Sequence, residues 1–243
     1  MSWPISYAKS QRLRAGLVRT VRVNRAEPKS EETRRRILAA AMDLFRSRGF
    51  EQTTMREIAH EAGVALGSAY YYFDSKEALV MAFYQQARDE THALIVQTLP
   101  DERDLQARIR SIVQVKFQYF APNRKFLGAL FGHAADPANP LSPFSEETRD
   151  IRETDIQHFS EAMEQGKVKI STDLKPYIPR LLWLYQMGLI LFWIYDHSPR
   201  QARTEQLIDK SLPLVVNLIK VSRFPLLRPI RKMVVGLLDV IYG

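Results

Sequence analysis

The sequence predicts an all-α fold: a small N-terminal three-helix head built on a helix-turn-helix, followed by a larger helical body. Three observations carry this. The stretch 54–76, TMREIAHEAGVALGSAYYYFDSK, reads as two short helices joined at a glycine corner. Apolar residues recur at three- and four-residue spacing from residue 30 to residue 221, interrupted by prolines and glycines. The segment 173–197 is apolar nearly all round, the mark of a helix buried on several sides.

Residues 1–29 show no amphipathic pattern and carry seven basic residues, Lys9, Arg12, Arg14, Arg19, Arg22, Arg25 and Lys29, against Glu27 alone. They read as a basic flexible arm, either lying on DNA phosphates or a minor groove, or an extension without such a role. The head is placed at 30–76. Ser30 is expected to cap its first helix, with Glu31 and Glu32 in the first turn. Ile37, Leu38, Ala41, Leu44 and Phe45 mark its buried face, and Gly49 its end.

Thr54 and Glu57 form the S/T-x-x-E pattern in which each side chain satisfies a free amide of the first turn. Ile58, Ala59 and Ala62 share one face. Gly63 can turn the chain through a left-handed backbone, and Val64 plugs the corner. A second short helix over 65–71 then follows, the arrangement whose second helix enters a DNA major groove. Ala65, Gly67 and Ser68 keep its start slim enough to approach base edges, with Leu66 beside them. Tyr70, Tyr71 and Tyr72 offer hydroxyls to phosphates, since three consecutive tyrosines cannot all face one core. Lys76, at the start of the next helix, reaches the DNA backbone.

The body is placed at 77–222. A helix over 75–99, capped by Asp74 or Ser75, carries Leu79, Phe83, Ala87, Leu94 and Val96 inward and stops at Pro100. The next uses Leu105, Ile109, Ile112, Val113, Lys116, Phe117 and Phe120, and Pro122 ends it. A short apolar helix over 125–133 precedes a proline-rich loop at 135–144. Ser145 is expected to cap the following helix, which Gly166 closes. In 173–197, Arg180, Gln186 and Asp196 leave fewer than the ~20 clean apolar residues of a membrane span, so a central helix against a partner subunit is expected. A helix over 204–221 follows, with a kink expected at Pro213. The tail, 223–243, joins basic residues to an apolar run. It is read as covering a dimer seam or resting on an anionic membrane surface.

Composition fits this plan. The 243 residues are 46% hydrophobic and 26% charged, with a formal net charge of +8. That balance supports a sizeable core and favours polyanionic partners, nucleic acid before membrane. No cysteine is present, which excludes disulfides, thiolate metal sites and cysteine nucleophiles. Basic residues stand where a secretory signal needs an apolar run, so a cytoplasmic location is expected. No P-loop, GxGxxG, HExxH or GxSxG pattern occurs. His60, His92, His133, His158 and His197 are scattered, and only His133, beside an aromatic helix, is marked as a ligand contact to check. Neither an enzyme, a metal site nor a cofactor is expected.

Thr53-Thr54, Ile58-Ala59, Ala62-Gly63-Val64, Gly67, Tyr70, Tyr72-Phe73, Ser75-Lys76-Glu77 and Leu79 resemble the pattern of the tetracycline-repressor (TetR) family of bacterial regulators. So does the preceding run from Thr33 through Ile37, Ala40, Leu44, Phe45 and Gly49-Phe50. The resemblance covers residues 33–83. It implies a homodimeric regulator of transcription, a repressor bound to a near-palindromic DNA operator. By resemblance Tyr70 and Lys76 are backbone contacts, Thr53 and Thr54 hold phosphates, and positions 66–68 vary with the operator. It also implies a ligand-binding and dimerisation domain, in which the last two long helices make a four-helix interface. A small-molecule ligand would sit among the body helices, lined by Phe117, Phe120, Phe126, Phe131, Trp183, Gln186, Met187 and Ile190, which favours an apolar or aromatic compound. Two rivals remain at this point: a membrane-surface helical protein, and a relative that binds ligand but has lost its operator.

Overall fold

The computed structural model of the protein describes residues 29–99, 104–131 and 136–242, and among them all regular structure is helical. Residues 1–28, Pro100 and His133 lie outside the described residues. The chain divides into two compact units between Arg36 and Ile37. The first supplies the opening of helix α1 (Lys29–Arg48), where Thr33 Oγ1 donates to the Lys29 carbonyl at 2.9 Å. Ser30, expected as the cap, is already helical.

From Ile37 onward the helix buries Ile37, Leu38, Ala41, Leu44 and Phe45, as its spacing predicts. Gly49 leaves it in a left-handed conformation (φ +92°), which lets Phe50 return against Phe45 with ring centroids 5.2 Å apart. Helix α2 (Met55–Glu61) begins with the reciprocal cap expected of Thr54 and Glu57. The Glu57 amide donates to Thr54 Oγ1 at 3.3 Å, and the Thr54 amide to Glu57 Oε2 at 2.9 Å. Gly63 (φ +64°) makes the corner, and half-buried Val64 packs beneath it. Helix α3 (Leu66–Tyr72) follows, one residue later at each end than the spacing predicts, with Ala65 in the cap position.

Helix α4 (Lys76–Thr98) is capped by Ser75, whose hydroxyl accepts from the Ala78 amide at 3.1 Å. Its inward row runs Leu79, Phe83, Ala87, Thr91, Ile95 and Leu99. Ile95 thus takes the place expected of Val96, which is exposed, because the four-residue step carries through the polar Thr91. The body continues with α5 (Leu105–Phe120), α6 (Arg124–Phe131), α7 (Arg149–Gln165), α8 (Ile178–Tyr195) and α9 (Ala202–Val221). Helix α8 packs on α6, α7 and α9, while α4 packs on α5 and α7. Head and body share one apolar cluster: Phe45 stacks on Phe126 at 5.4 Å, and Phe126 meets Phe83 edge-on at 6.1 Å.

Helix α7 begins three residues later than Ser145 predicts, with Thr148 in the cap position. Instead of capping it, the Ser145 hydroxyl donates to the Pro140 carbonyl at 3.1 Å, and Thr148 Oγ1 donates to the Ser142 carbonyl at 2.7 Å. Arg152 closes this folded loop by donating to the carbonyls of Pro143 and Ser145 at 2.8 and 3.0 Å. The end of α8 is held by Arg124, which donates to the carbonyls of Trp193, Ile194 and Asp196. Burial alone would raise the Asp196 carboxyl, but the hydroxyl and amide bonds from Ser198 and Thr204 hold it well below its ordinary value.

Helix α8 is not buried all round. Leu182, Trp183, Gln186, Leu189, Ile190 and Trp193 face inward, but Leu184, Leu191, Phe192 and Tyr195 form an exposed stripe. On α9, which continues through Pro213, Leu214, Leu218 and Val221 are also exposed. The tail forms α10 (Arg228–Tyr242), anchored by Arg231 to Asp173 at 2.7 Å and by the Tyr177 hydroxyl to Asp239. Leu238 is its buried residue; Met233, Leu237, Val240 and Ile241 remain exposed.

Candidate functional site

Helix α3 stands out from the head along one side. Ala65, Gly67 and Ser68 are exposed at its start, and a side chain added at Gly67 would meet open space. Tyr71 is 82% exposed and Tyr70 49%, while Tyr72 is half-buried with its ring edge-on to Tyr71 at 5.2 Å. The underside is fixed by Ala69 and Phe73, both buried in the head core. This gives a slim exposed helix start flanked by phenol hydroxyls.

Three of the expected contact residues are placed otherwise. Thr53 is 1% exposed and its hydroxyl donates to the Gly49 carbonyl at 2.7 Å, so it ties the α1–α2 turn and its side chain is not presented. Leu66 is half-buried against the head core, which leaves Gly67 and Ser68 as the outward residues of the first turn. Lys76 donates from Nζ to the Phe50 carbonyl at 2.7 Å and lies 4.4 Å from the Phe50 ring centroid. Its ammonium therefore braces the end of α1 inside the head. Thr54 is exposed, but its hydroxyl is committed to Glu57. That cap, with Arg48 2.9 Å away, lowers the Glu57 carboxyl; the backbone bond from Thr54 is the largest cause.

The body holds a cavity of about 110 Å³ between α4, α5, α6, α7 and α8. Phe120, Phe131, Trp183, Gln186, Met187 and Ile190 line it, as expected. Phe117 and Phe126 do not. Phe117 stacks on Trp193 at 5.1 Å, and Phe126 packs against Phe45 and Phe83 at the head–body joint. Sequence spacing missed the remaining walls: Tyr84, Ala87 and Arg88 from α4, Leu141 and Pro143 from the folded loop, and Asp155 from α7. Periodicity carried no signal for the loop, and Tyr84 and Arg88 fall outside the inward row assigned to α4.

One edge of this cavity is polar and deeply buried. Lys116 Nζ donates to Asp155 Oδ1 at 2.6 Å and to Thr91 Oγ1 at 2.9 Å, joining α5 to α7 and α4. Gln186 Nε2 lies 3.4 Å from Asp155 Oδ2 and brings in α8. Beside it His158 is 1% exposed, with Nε2 2.8 Å from His92 Nδ1 of α4. Burial pushes the His158 imidazole down to about 4, helped by the Lys116 charge and by His92, and opposed chiefly by Asp155.

A helix this bare at its leading turn, raised on a capped glycine corner, is the geometry of helix-turn-helix DNA-binding regulators of transcription. Comparison with known proteins narrows that class. The family model of the bacterial regulatory proteins, tetR family, matches residues 37–83, and that of the tetracyclin repressor-like, C-terminal domain matches residues 108–237. The chain belongs to the TetR family of transcriptional regulators.

An uncharacterized HTH-type transcriptional regulator of Bacillus subtilis (strain 168), YdgC, is 35% identical over 95 residues, 37% of this chain. That match spans 49% of the length of YdgC. A TetR-family regulator from Streptomyces coelicolor superposes with a TM-score of 0.62 at 20% identity, covering 85% of this chain and 89% of that one. This likeness is one of fold. Thermus thermophilus FadR, a TetR-family repressor solved with lauroyl-CoA, gives 0.55 at 25% identity over 79% of this chain and 95% of its own.

Proposed function

We propose that this regulator acts as a homodimeric repressor that binds a near-palindromic operator and is released by a small apolar ligand. The observation that carries the DNA part is the exposed turn of Ala65, Gly67 and Ser68, followed on the same helix by the exposed Tyr70 and Tyr71. Gly67 and Ser68 approach bases; Tyr70, Tyr71 and Tyr72 hold phosphates. A turn without arginine or asparagine makes no bidentate base contact, so specificity rests on thymine methyls, the Ser68 hydroxyl and DNA shape.

The homodimer is supported by the exposed apolar stripes of α8 and α9. Pairing Leu184, Leu191, Phe192 and Tyr195 with Leu214, Leu218 and Val221 of a second copy makes a four-helix interface and takes this surface out of water. Release is supported by the walls of the cavity. Tyr84, Ala87 and Arg88 belong to α4, the helix that begins beside the head at Lys76. A ligand that prefers one setting of α4 shifts the spacing of the two heads, provided it binds that setting more tightly than the DNA-bound one. The Thermus thermophilus relative binds lauroyl-CoA, whose acyl chain, though not its charged coenzyme A part, agrees with an apolar occupant.

Selection of bound fragments from source genomic DNA, using the full chain, tests the reading. A two-fold sequence with half-sites about one helical turn apart is expected. Equal affinity for selected and random DNA would mean that operator binding has been lost. A second reading, attachment to an anionic membrane surface, is favoured by the exposed Met233, Leu237, Val240 and Ile241 beside Arg228 and Lys232 on α10. Flotation with anionic vesicles that survives deletion of 54–76 would select it.

A further inference from the structure

Gln186 sits in the middle of α8, is 0% exposed, and lines the cavity. Its amide is oriented by Asp155. A carboxylate oxygen accepts, so the Nε2 side of the amide faces Asp155 Oδ2 at 3.4 Å. Its carbonyl oxygen, Oε1, is buried and has no hydrogen-bond partner among the described residues. A buried acceptor left unfilled keeps its desolvation penalty uncompensated, and such an atom in a cavity wall is a place for a donor.

The Lys116 charge beside it is already matched, and both nearby arginines have protein partners. Lys116 is held by Asp155 and Thr91, so this pair presents no unpaired charge to the cavity. Arg152 donates to two loop carbonyls, and Arg88 to Asp89 at 2.8 Å. An acidic ligand would have to draw an arginine from these partners and lie near the Asp155 carboxylate. The remaining walls are mainly apolar, with Phe120, Leu130, Trp183 and Ile190 among them; Tyr84 and Thr148 bring hydroxyls, and that of Thr148 donates to the Ser142 carbonyl. Dry cavities of about 150 Å³ accept benzene, so the 110 Å³ here suits a single ring or a chain of similar bulk.

We propose that the cavity takes a compact apolar compound ending in a hydrogen-bond donor, a hydroxyl or an N–H, and that Gln186 Oε1 receives that donor. This rests on the reading of the cavity as the ligand site. It makes Gln186 the residue that selects among apolar compounds of equal size. It also joins the ligand to α4 through Asp155, Lys116 and Thr91.

Calorimetric titration of the full chain with 4-ethylphenol, ethylbenzene, 4-ethylanisole and 4-ethylbenzoate tests it, in the natural sequence and in Gln186→Met. In the natural sequence 4-ethylphenol is expected to bind more tightly than its methyl ether. In Gln186→Met its affinity is expected to fall about tenfold while ethylbenzene is unchanged or tighter. An unaltered ratio of phenol to ethylbenzene in a folded variant overturns the assignment. So does equal binding of 4-ethylanisole, or tighter binding of 4-ethylbenzoate, by the natural sequence; both measurements stand even if the variant fails to fold. If none of the four binds, the cavity reading itself falls, and the donor assignment with it; if ethylbenzene alone binds, only the donor assignment falls.

Discussion

The reading turn of α3 and the polar edge of the body cavity place polar chemistry in opposite settings. In α3, Gly67, Ser68 and Tyr71 stand in water, where an unmatched hydroxyl costs little. In the body, Lys116, Asp155 and Gln186 are withdrawn from water, and each unmatched atom is expensive. The same kind of substitution should therefore change partner binding in the head and folding stability in the body.

The largest effect is expected at Asp155. Asp155→Ala leaves the Lys116 ammonium buried without its counter-charge, and a loss of about 3–5 kcal/mol is expected in urea unfolding. The double variant Lys116→Met, Asp155→Leu should recover most of it, since a buried pair replaced by apolar side chains is often neutral. Equal losses in the single and double variants would break the contrast.

Acid should act next, through His158. Its imidazole is held at about 4 against an ordinary 6.5, so the fold favours the neutral form. That contribution is complete above pH 6.5 and is lost as pH falls from 6.5 toward 4, by about 3 kcal/mol in all. The lowered carboxyls of Glu57, Asp173 and Asp196 release protons more readily in the fold. Their contributions decline only as pH falls below about 4.5. Glu205, whose carboxyl burial raises, acts in the opposite sense, so unfolding midpoints between pH 7 and 4.5 in a Glu205→Gln background report the histidine; a flat profile there would show that the fold does not lower the His158 imidazole.

Lys76 lies between the two settings. Lys76→Met removes its bond to the Phe50 carbonyl and should destabilise the chain by about 1 kcal/mol. If the ammonium also neutralises a phosphate, the salt slope of DNA binding falls by about one charge as well. A stability loss with an unchanged slope assigns it to bracing the head alone.

The smallest change in stability is expected at Gly67. Gly67→Ala meets open space and improves helix propensity, so the chain should gain about 0.5 kcal/mol or less. Operator affinity should fall, because the added methyl thickens the turn that approaches bases. Unchanged affinity would show that the slimness of α3 is not used.

The head was legible because its determinants are local. Thr54 and Glu57 reach each other across one helical turn, and Gly63 sets its own backbone, so spacing alone places them. What the motif leaves open is which partner a side chain takes within the fold. Thr53 is drawn to the Gly49 carbonyl and Lys76 to Phe50, contacts that a motif does not encode. The body was legible as helices, and its cavity only in part. Phe117 and Phe126 look like any cavity aromatic in sequence, and only their packing against Trp193 and Phe45 removes them from the wall.

By itself the sequence determined the helices, the capped glycine corner and the small residues that lead α3, since each follows from backbone conformation and neighbours within a turn or two. Which faces meet was decided by the tertiary structure. The ion pair of Lys116 with Asp155, the open acceptor of Gln186 and the exposed stripe of α8 depend on residues tens of positions apart. Their energies appear only when packing removes the intervening water.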